Sequence, residues 1–377
     1  GSVYYQNDTA NYNAALHNLN LVGYACYTPS LLKGDIQLNI DSLTYQEIPA
    51  NAHYAVNQLS IFASTQMQAD SMLLKTELWA PQVNMNDSLL GIVGKPLGVD
   101  LHMVVDTTFS KFAVKQAAIT FDETQLFAAG IAQINSDSLY YLDANARLKS
   151  PKLEKLLTVM PKNLTPYFKG IRFSGGADLQ AAAKGFYGNK QLPTVQVTVV
   201  LNNLKGSAAG RKEKIDRLQL NAKAAYHPNS KDSTYLKIEN FIFKSGQSHL
   251  NLQADATYKQ KREHWDLRLK GHLNLKELNQ LYPFYERSRV RGLLDADINA
   301  QFFLSDLIEK KIYNIHSQST LTGDDVFVNI PTARTRLLVD SLRASLYTNT
   351  GVKFGRRAAR IDTSLVNVWF YVLRGKS

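Results

Sequence analysis

The 377-residue chain is 45% hydrophobic, has one cysteine and carries a formal net charge of +11. The lone Cys26 excludes an internal disulfide and a cysteine-based zinc site, and no stretch approaches the roughly 20 apolar residues of a membrane-spanning helix. Residues 1–150 balance to −6 and residues 151–377 to +17. No helix-turn-helix, zinc-finger or RNA-binding pattern accompanies the basic half, so nucleic acid is not an expected partner.

Segments that alternate apolar and polar residues recur along the chain and predict β-strands, because successive side chains point to opposite faces of a strand. They cover residues 36–40, 97–103, 142–148, 195–199, 218–226, 250–258, 265–271 and 294–300. Turn residues at Asn202-Asn203, Pro228-Asn229 and Gly323-Asp324 predict connections. The pattern predicts a mainly β chain, an elongated and curled antiparallel sheet shaped like a groove, with a few short amphipathic helices.

One strand register is repeated. Residues 218–226 reappear in similar form at residues 250–258, 32 positions later, and both segments are amphipathic. Such a repeat is typical of a sheet that grows by adding similar units. We therefore expect an acidic β region over residues 1–150 and a basic β region over residues 151–377, joined in one continuous sheet rather than folded as independent domains.

Two segments have helical spacing and end at proline. The first apolar stripe ends at Pro161 and the second at Pro283, and each predicts a short helix. A strand with an aspartate in the same register follows each helix, at Asp178 and at Asp297, so the unit recurs after about 120 residues. The leucine and methionine positions of the stripes are Leu153, Leu156, Leu157 and Met160, then Leu275, Leu278 and Leu281.

Asp-Ser-Leu and related triplets are also frequent. Aspartate and serine satisfy turn backbone through short side-chain hydrogen bonds, so each triplet predicts a turn before a strand. The pattern also resembles an O-glycosylation acceptor of exported bacterial proteins, which favours an extracytoplasmic location. The triplets start at Asp8, Asp41, Asp70, Asp87, Asp106, Asp137, Asp232 and Asp340.

Motifs for catalysis are absent from the sequence. There is no HExxH, no nucleophile elbow, no phosphate-binding glycine loop and no dinucleotide fingerprint. The histidines are dispersed, and His264 and His272 stand eight residues apart, a poor spacing for metal ligands. Asp295 and Asp297 share a strand face and form the best candidate pair of carboxylates. We expect no enzyme, no cofactor and no metal site.

The second half of the chain resembles the AsmA-like proteins of the Gram-negative envelope. The resemblance rests on the leucine helix ending in proline, the strand at residues 292–300 and the Leu-x-Gly segment at residues 321–331; a similar layout begins at residues 117–130. It spans roughly residues 90–345. It implies a non-enzymatic protein with an N-terminal membrane helix and a curled sheet whose apolar groove helps lipids or outer-membrane components to cross the periplasm, as in TamB and the bridge-like lipid transfer proteins.

These observations favour a periplasmic protein that is anchored to the inner membrane and binds or transports phospholipid or lipopolysaccharide-type lipids. Gly1-Ser2 is typical of a cleaved expression tag, so we expect the anchor to precede the sequence. Two alternatives remain: a structural or adhesive envelope scaffold that binds protein or glycan partners, and a glycan-active enzyme using Asp295 and Asp297. The candidate groove lining, which could equally form a closed β core, is Val195, Val197, Val199, Leu218, Leu220, Leu250, Leu252, Leu267 and Leu269.

Overall fold

The computed structural model describes residues 2–7, 12–28, 31–68, 70–89, 91–136, 138–157, 162–163, 171–188, 191–208, 214–259, 261–281, 288–309, 311, 314–331, 335–348 and 365–371. Strands dominate this part of the chain, and the pairs with a defined register are antiparallel. The predicted fold class, a mainly β chain of antiparallel strands with a few short helices, is confirmed.

Nineteen strands and three short α-helices are present in the described residues. The strands are β1 (Ser2–Asn7), β2 (Tyr12–Thr28), β3 (Leu31–Glu47), β4 (Ala52–Gln68), β5 (Ser71–Asn86), β6 (Gly91–Asp106), β7 (Lys111–Phe121), β8 (Thr124–Ser136), β9 (Leu139–Ser150), β10 (Ile171–Tyr187), β11 (Thr194–Ala208), β12 (Lys214–Tyr226), β13 (Tyr235–Ser245), β14 (Ser248–Lys259), β15 (Arg262–Asn274), β16 (Arg289–Phe303), β17 (His316–Ile330), β18 (Thr335–Thr348) and β19 (Leu365–Tyr371). The helices are α1 (Leu153–Leu157), α2 (Leu275–Leu281) and α3 (Leu304–Ile308).

The chain divides into two compact units. Unit 1 comprises residues 1–169 and 176–195, and unit 2 comprises residues 170–175 and 196–377. In unit 1, each strand from β1 to β9 pairs with the next one, and β9 pairs with β10. In unit 2, β12 to β19 pair in the same consecutive way. The continuity of the two regions stays a prediction.

The eight predicted strands all lie within strands, and both predicted helices form. Helix α1 follows β9 and helix α2 follows β15, in the predicted order; Met160, Pro161 and Pro283 lie outside the described residues. Helix α3 was not predicted. It is a single turn whose start is held by Arg262, which donates hydrogen bonds to the hydroxyl of Ser305 and to the buried carboxylate of Asp306.

Two predicted turns are wrong. Asn202-Asn203 lies inside β11, and Gly323-Asp324 lies inside β17; only Pro228-Asn229 forms a turn. Asn203 has a φ of 45° and Asp325 a φ of 46°. A left-handed residue within a strand produces a local bulge, and the ladder resumes beyond it. The β16–β17 pairing shifts register here, between Arg291 and Leu293, whereas the register of β17 with β18 is the same on both sides of Asp325.

The Asp-Ser-Leu prediction holds for some triplets. Asp87 accepts a hydrogen bond from the Leu89 amide at 2.6 Å in a bend, and Asp106 caps the turn before β7. Asp41 and Asp340 instead lie inside β3 and β18, where the neighbouring strands satisfy the backbone. Asp8 and Asp137 lie outside the described residues.

Fully buried side chains are few for a chain of this length. Seventeen apolar side chains of the described residues are buried. In unit 1, the main cluster consists of Ile40, Leu59, Ala80 and Val83. In unit 2, Leu275 at the start of α2 packs with Val326 and Val339, so this helix covers one end of the sheet. Most apolar side chains therefore lie on half-exposed sheet faces.

Asp122 joins helix α1 to the sheet of unit 1. Its Oδ2 lies 2.7 Å from Lys95 Nζ on β6 and 3.0 Å from Lys155 Nζ on α1, and its side chain is 15% exposed. The hydrogen bond from Lys95, followed by that from Lys155, lowers the pKa of this carboxyl although burial opposes the shift. This carboxylate, in the turn between β7 and β8, therefore links helix α1 to strand β6.

We expect Asp122→Asn to lower the free energy of unfolding by about 1–2 kcal/mol at neutral pH, because it removes the charge that both lysines share. Since the folded-state pKa is depressed, the stabilisation is present above the unfolded pKa of about 3.9 and is lost as the pH falls through the folded pKa. Urea unfolding from pH 7 to pH 3 measures it.

The control is Asp143→Asn, whose exposed pair with Lys184 spans 2.8 Å. It should cost less than about 0.5 kcal/mol, as exposed ion pairs do. Equal losses in the two variants would contradict the assignment of Asp122 as the anchor of α1.

Candidate functional site

A single row of branched apolar residues crosses nine strands of unit 1. The register places one leucine, isoleucine or valine of each strand from β2 to β10 opposite that of its neighbour. We call this set the leucine row. It consists of Leu21, Leu38, Ile61, Leu78, Val99, Ile119, Leu126, Leu148 and Leu179. Seven members are half-buried, while Leu21 is 61% and Ile119 36% exposed.

Beside the leucine row lies a strip of very small side chains on the same sheet face. Two adjacent rows on β7 to β10 contain almost only alanine and glycine. We call this strip the alanine furrow. It consists of Ala117, Ala128, Ala146 and Ala181 in one row and Gly130, Ala144 and Ala183 in the next. Rows on one face are about 6.8 Å apart, so the furrow is two rows wide between the leucine row and a further row with Phe112 and Leu142.

Close contact between the strands leaves no room for a larger side chain at one position of the furrow floor. Gly130 has a φ of 158°, and a Cβ there would lie 2.5 Å from the Ala144 Cα and 2.6 Å from the Asp143 carbonyl oxygen. Opposite Gly130, β7 carries a bulge between Val114 and Ala117. The bulge places both intervening residues away from the furrow, so Val114 and Ala117 remain on the apolar face.

In unit 2, most of the predicted lining residues share one apolar face. Leu220 and Leu252 belong to one row, with Phe241 between them and Leu269 next in line. Leu218 and Leu250 belong to the neighbouring row, and Leu267 lies one row further along β15. All six predicted leucines are half-buried. The structure therefore brings them together on one face.

The three predicted valines lie on β11. Val195, Val197 and Val199 occupy alternate positions of this strand and are all half-buried. Val195 belongs to unit 1, whereas Val197 and Val199 belong to unit 2. Their alternation fits the predicted apolar face of that strand, and their role as lining residues stays a prediction.

The opposite face of unit 2 is strongly polar and carries cross-strand ion pairs. Lys223 Nζ lies 2.9 Å from Glu239 Oε1, and Lys270 Nζ lies 3.3 Å from Asp297 Oδ2. The bond from Lys223 lowers the pKa of Glu239. Depressions of about 420 and 300 Å³ are lined by residues of this polar face and by none of the predicted lining residues. A third depression, of about 530 Å³, includes the predicted Leu252 and Leu269 in its lining.

The two candidate catalytic carboxylates are held by different partners on this polar face. Asp295 Oδ1 lies 2.7 Å from Nδ1 of His272, and Asp297 pairs with Lys270. Their side chains are 56% and 61% exposed. Each carboxylate is thus solvated and paired with a basic group, which differs from the buried carboxylate pair that acid–base catalysis uses.

A histidine pair was missed by the sequence analysis. His249 and His272 lie directly opposite each other on β14 and β15, with ring centroids 5.8 Å apart. The sequence analysis compared His272 with His264 as possible metal ligands, because those two histidines are close together in the chain. His264 instead packs against Phe303, and burial lowers its pKa. Within the described residues, no group of three or more metal-ligating side chains is arranged to hold an ion.

The Asp106 carboxylate lies at the turn between β6 and β7. It accepts hydrogen bonds from the hydroxyls of Ser110 and Thr108 and from the amides of Lys111 and Ser110. These bonds hold the pKa of Asp106 far below its usual range. The arrangement satisfies the turn backbone without a second titratable group, so it is a structural cap.

Comparisons with known proteins identify no relative. No family model, no curated protein and no solved structure matches the chain. None of the helices in the described residues is long and apolar enough to cross a membrane.

The leucine row and the alanine furrow were also missed, although the sequence contains a signal for them. Residues 117–119, 142–148 and 179–183 carry alanine and either leucine or isoleucine at alternate positions. The alternation shows that each strand has an apolar face, but only the register shows that alanine faces alanine over four strands.

A pair of glycines tests how tightly the apolar faces are packed. A Cβ at Gly271 would lie 2.7 Å from Leu250 Cδ1 and 2.9 Å from the His249 carbonyl oxygen, whereas at Gly23 it would meet nothing closer than 4.0 Å. We expect Gly271→Ala to lower the free energy of unfolding by about 1–3 kcal/mol through overpacking. Gly23→Ala should be neutral or slightly stabilising, because it lowers the entropy of the unfolded chain. Chemical denaturation of both variants measures this, and equal effects would contradict the packing.

Proposed function

We propose that this protein is a non-enzymatic lipid-binding protein that carries acyl chains on the apolar faces of its sheet. The observation that carries the proposal is the alanine furrow beside the leucine row. Alternating strands usually bury such a face against a second layer. Here the apolar rows keep half-exposed side chains across nine strands, and fully buried residues are few.

The dimensions of the apolar rows support an elongated apolar ligand. Neighbouring strands are about 4.8 Å apart, so a row over nine strands extends for about 38 Å. The furrow floor spans four strands. Burial of a methylene contributes about 0.8 kcal/mol, so half-burial of about 16 methylenes contributes about 6 kcal/mol. A single acyl chain in the furrow would therefore be held without a polar contact.

The small side chains of the furrow support a ligand that lies along the rows. Ala128, Ala146 and Ala181 present one methyl group each, while Leu126 and Leu148 rise beside them. A flexible hydrocarbon chain fits a shallow channel between taller side chains, whereas a flat apolar plateau would fit another sheet or helix better. The channel runs across the strands, because side chains of the same size are opposite each other in the register.

The resemblance to AsmA-like proteins extends the proposal. On that basis the lipid would be a phospholipid or a lipopolysaccharide-type lipid, the location would be the periplasm, and transport or outer-membrane assembly would be the role. Binding of an acyl chain as such needs only the apolar rows of unit 1 and the apolar face of unit 2.

We expect Ala128→Trp to abolish lipid binding in unit 1, because the indole would fill the furrow beside Leu126. The matched control is Ala129→Trp, which places the same side chain on the opposite face of the same strand. Both residues are half-buried. The measurement is lipid extraction from purified protein followed by mass spectrometry, together with displacement of a fluorescent fatty acid by unlabelled fatty acid.

Because unit 2 has its own apolar face, Leu252→Asp is combined with Ala128→Trp, and Asn251→Asp with Ala129→Trp. The first double variant should lose most of the bound lipid and of the fluorescent signal, and the second should keep both. Absence of lipid and of fatty-acid binding in the unaltered protein, or equal binding by the two double variants with native circular dichroism, would contradict the proposal.

A further inference from the structure

The polar face of unit 1 differs in chemistry from that of unit 2. On β2 to β5, about half of the positions on the face opposite the apolar cluster are carboxamide side chains. We call this surface the amide face. It is defined by Asn20, Asn39, Asn57, Gln58, Gln82 and Asn84. The surface covers residues 13–20 of β2 and the residues of β3, β4 and β5 that are in register with them. Asp41 is the one formally charged side chain in this set. Unit 2 instead carries paired lysines and acids on its polar face.

A line of irregular residues crosses the amide face and opens a depression. Gln58 has a φ of 54° and Gly94 a φ of 61°. At this line the residues on either side, such as Val56 and Leu59, remain in one apolar cluster although they are three positions apart. The polar residues therefore also stay together on the other face. A depression of about 710 Å³ results, and its lining includes Asp41, Asn57 and Gln82.

The amides around the depression are fixed by cross-strand hydrogen bonds. Asn57 Nδ2 donates to Gln82 Oε1 at 2.9 Å, and Asn18 Nδ2 donates to Asp41 Oδ2 at 2.8 Å. A carboxamide has two donor hydrogens and an acceptor oxygen, so the first bond leaves Asn57 Oδ1 and Gln82 Nε2 available for a ligand. The surface thus offers fixed donors and acceptors, with the Asp41 carboxylate as its one formal charge.

An exposed indole lies beside the amides. Trp79 is 52% exposed and follows Ser60, Asn39 and Asn20 in one cross-strand row. Its ring packs over Gly98 of β6, where a Cβ would lie 3.3 Å from Trp79 Cε3. Trp79 stands two residues before Pro81, which lines the depression, so about 7 Å of strand separates them. The indole therefore offers a flat apolar platform at the margin of a polar depression.

We propose that the amide face, with Trp79 as its platform, is a binding site for a neutral oligosaccharide. Each sugar hydroxyl both donates and accepts hydrogen bonds, and carboxamides match both roles. The apolar face of a pyranose ring can pack on the indole. An anionic ligand would need lysine or arginine, which these rows lack. This site lies on the face opposite the apolar rows, and it does not depend on the proposed lipid function.

The test is a printed array of neutral and acidic glycans, followed by titration calorimetry with the neutral glycans that give signal. Trp79→Ala and the double variant Asn57→Ala/Gln82→Ala should each weaken binding by at least about tenfold, the loss typical of a central contact residue. Phe127→Ala is the matched control. Phe127 is an aromatic residue on the same face and is 43% exposed. It lies on β8, opposite Arg147 of β9, and therefore outside the amide face.

Circular dichroism and thermal unfolding accompany each variant. Retention of the native spectrum with loss of neutral-glycan binding in the two amide-face variants, and normal binding by Phe127→Ala, supports the site. Absence of binding to every neutral glycan at millimolar concentration overturns it. Preference for acidic glycans, or binding that Trp79→Ala leaves unchanged, also overturns it.

Discussion

Cross-strand register is the constraint on which the other features of this molecule depend. Because side chains alternate along a strand, a slip of one residue between neighbours would move every apolar side chain to the polar face. The leucine row requires eight successive pairings in the same register class, from Leu21 on β2 to Leu179 on β10. Consecutive antiparallel strands achieve this: short connections join β2 to β9, and β10 pairs with β9 after the longer segment that contains helix α1. The alanine furrow and the amide face both follow from that order.

Local irregularities preserve the two faces where strict alternation would exchange them. Gln58 and Asp325 have positive φ values, and the β7 bulge adds a residue opposite Ala129. At each of these positions the alternation of side chains between the two faces shifts by one residue. Apolar residues that are three positions apart therefore remain on one face. The shift at Gln58 keeps Val56 and Leu59 on the same face, so one apolar cluster extends across the line of irregular residues. The depression of the amide face is the consequence of the same device on the other side of the sheet.

The sequence predicted what depends on a single strand or helix. The alternation in residues 142–148 and 250–258 correctly predicts strands with one apolar face, and the leucine spacing at 153–157 and 275–281 correctly predicts helices. It failed where the outcome depends on neighbours. Gly323-Asp324 looks like a turn because its residues tolerate left-handed backbone, yet the flanking strands β16 and β18 hold it in a ladder. His249 and His272 are 23 residues apart, and only the pairing of β14 with β15 makes them neighbours.

The positions of the furrow and of the amide face support two separate binding surfaces in unit 1. The furrow lies on β7 to β10 and the amide face on β2 to β5, on opposite faces of the sheet. A hydrocarbon chain gains free energy from small apolar side chains and taller neighbours, whereas a hydroxylated ligand gains it from fixed amides. Each surface suits only its own proposed ligand, because a buried hydroxyl without a partner is costly on the alanine floor and a methylene gains little beside solvated amides. The register that separates apolar from polar side chains would thus also separate the two proposed ligands, and substitutions on one face should leave binding on the other unchanged.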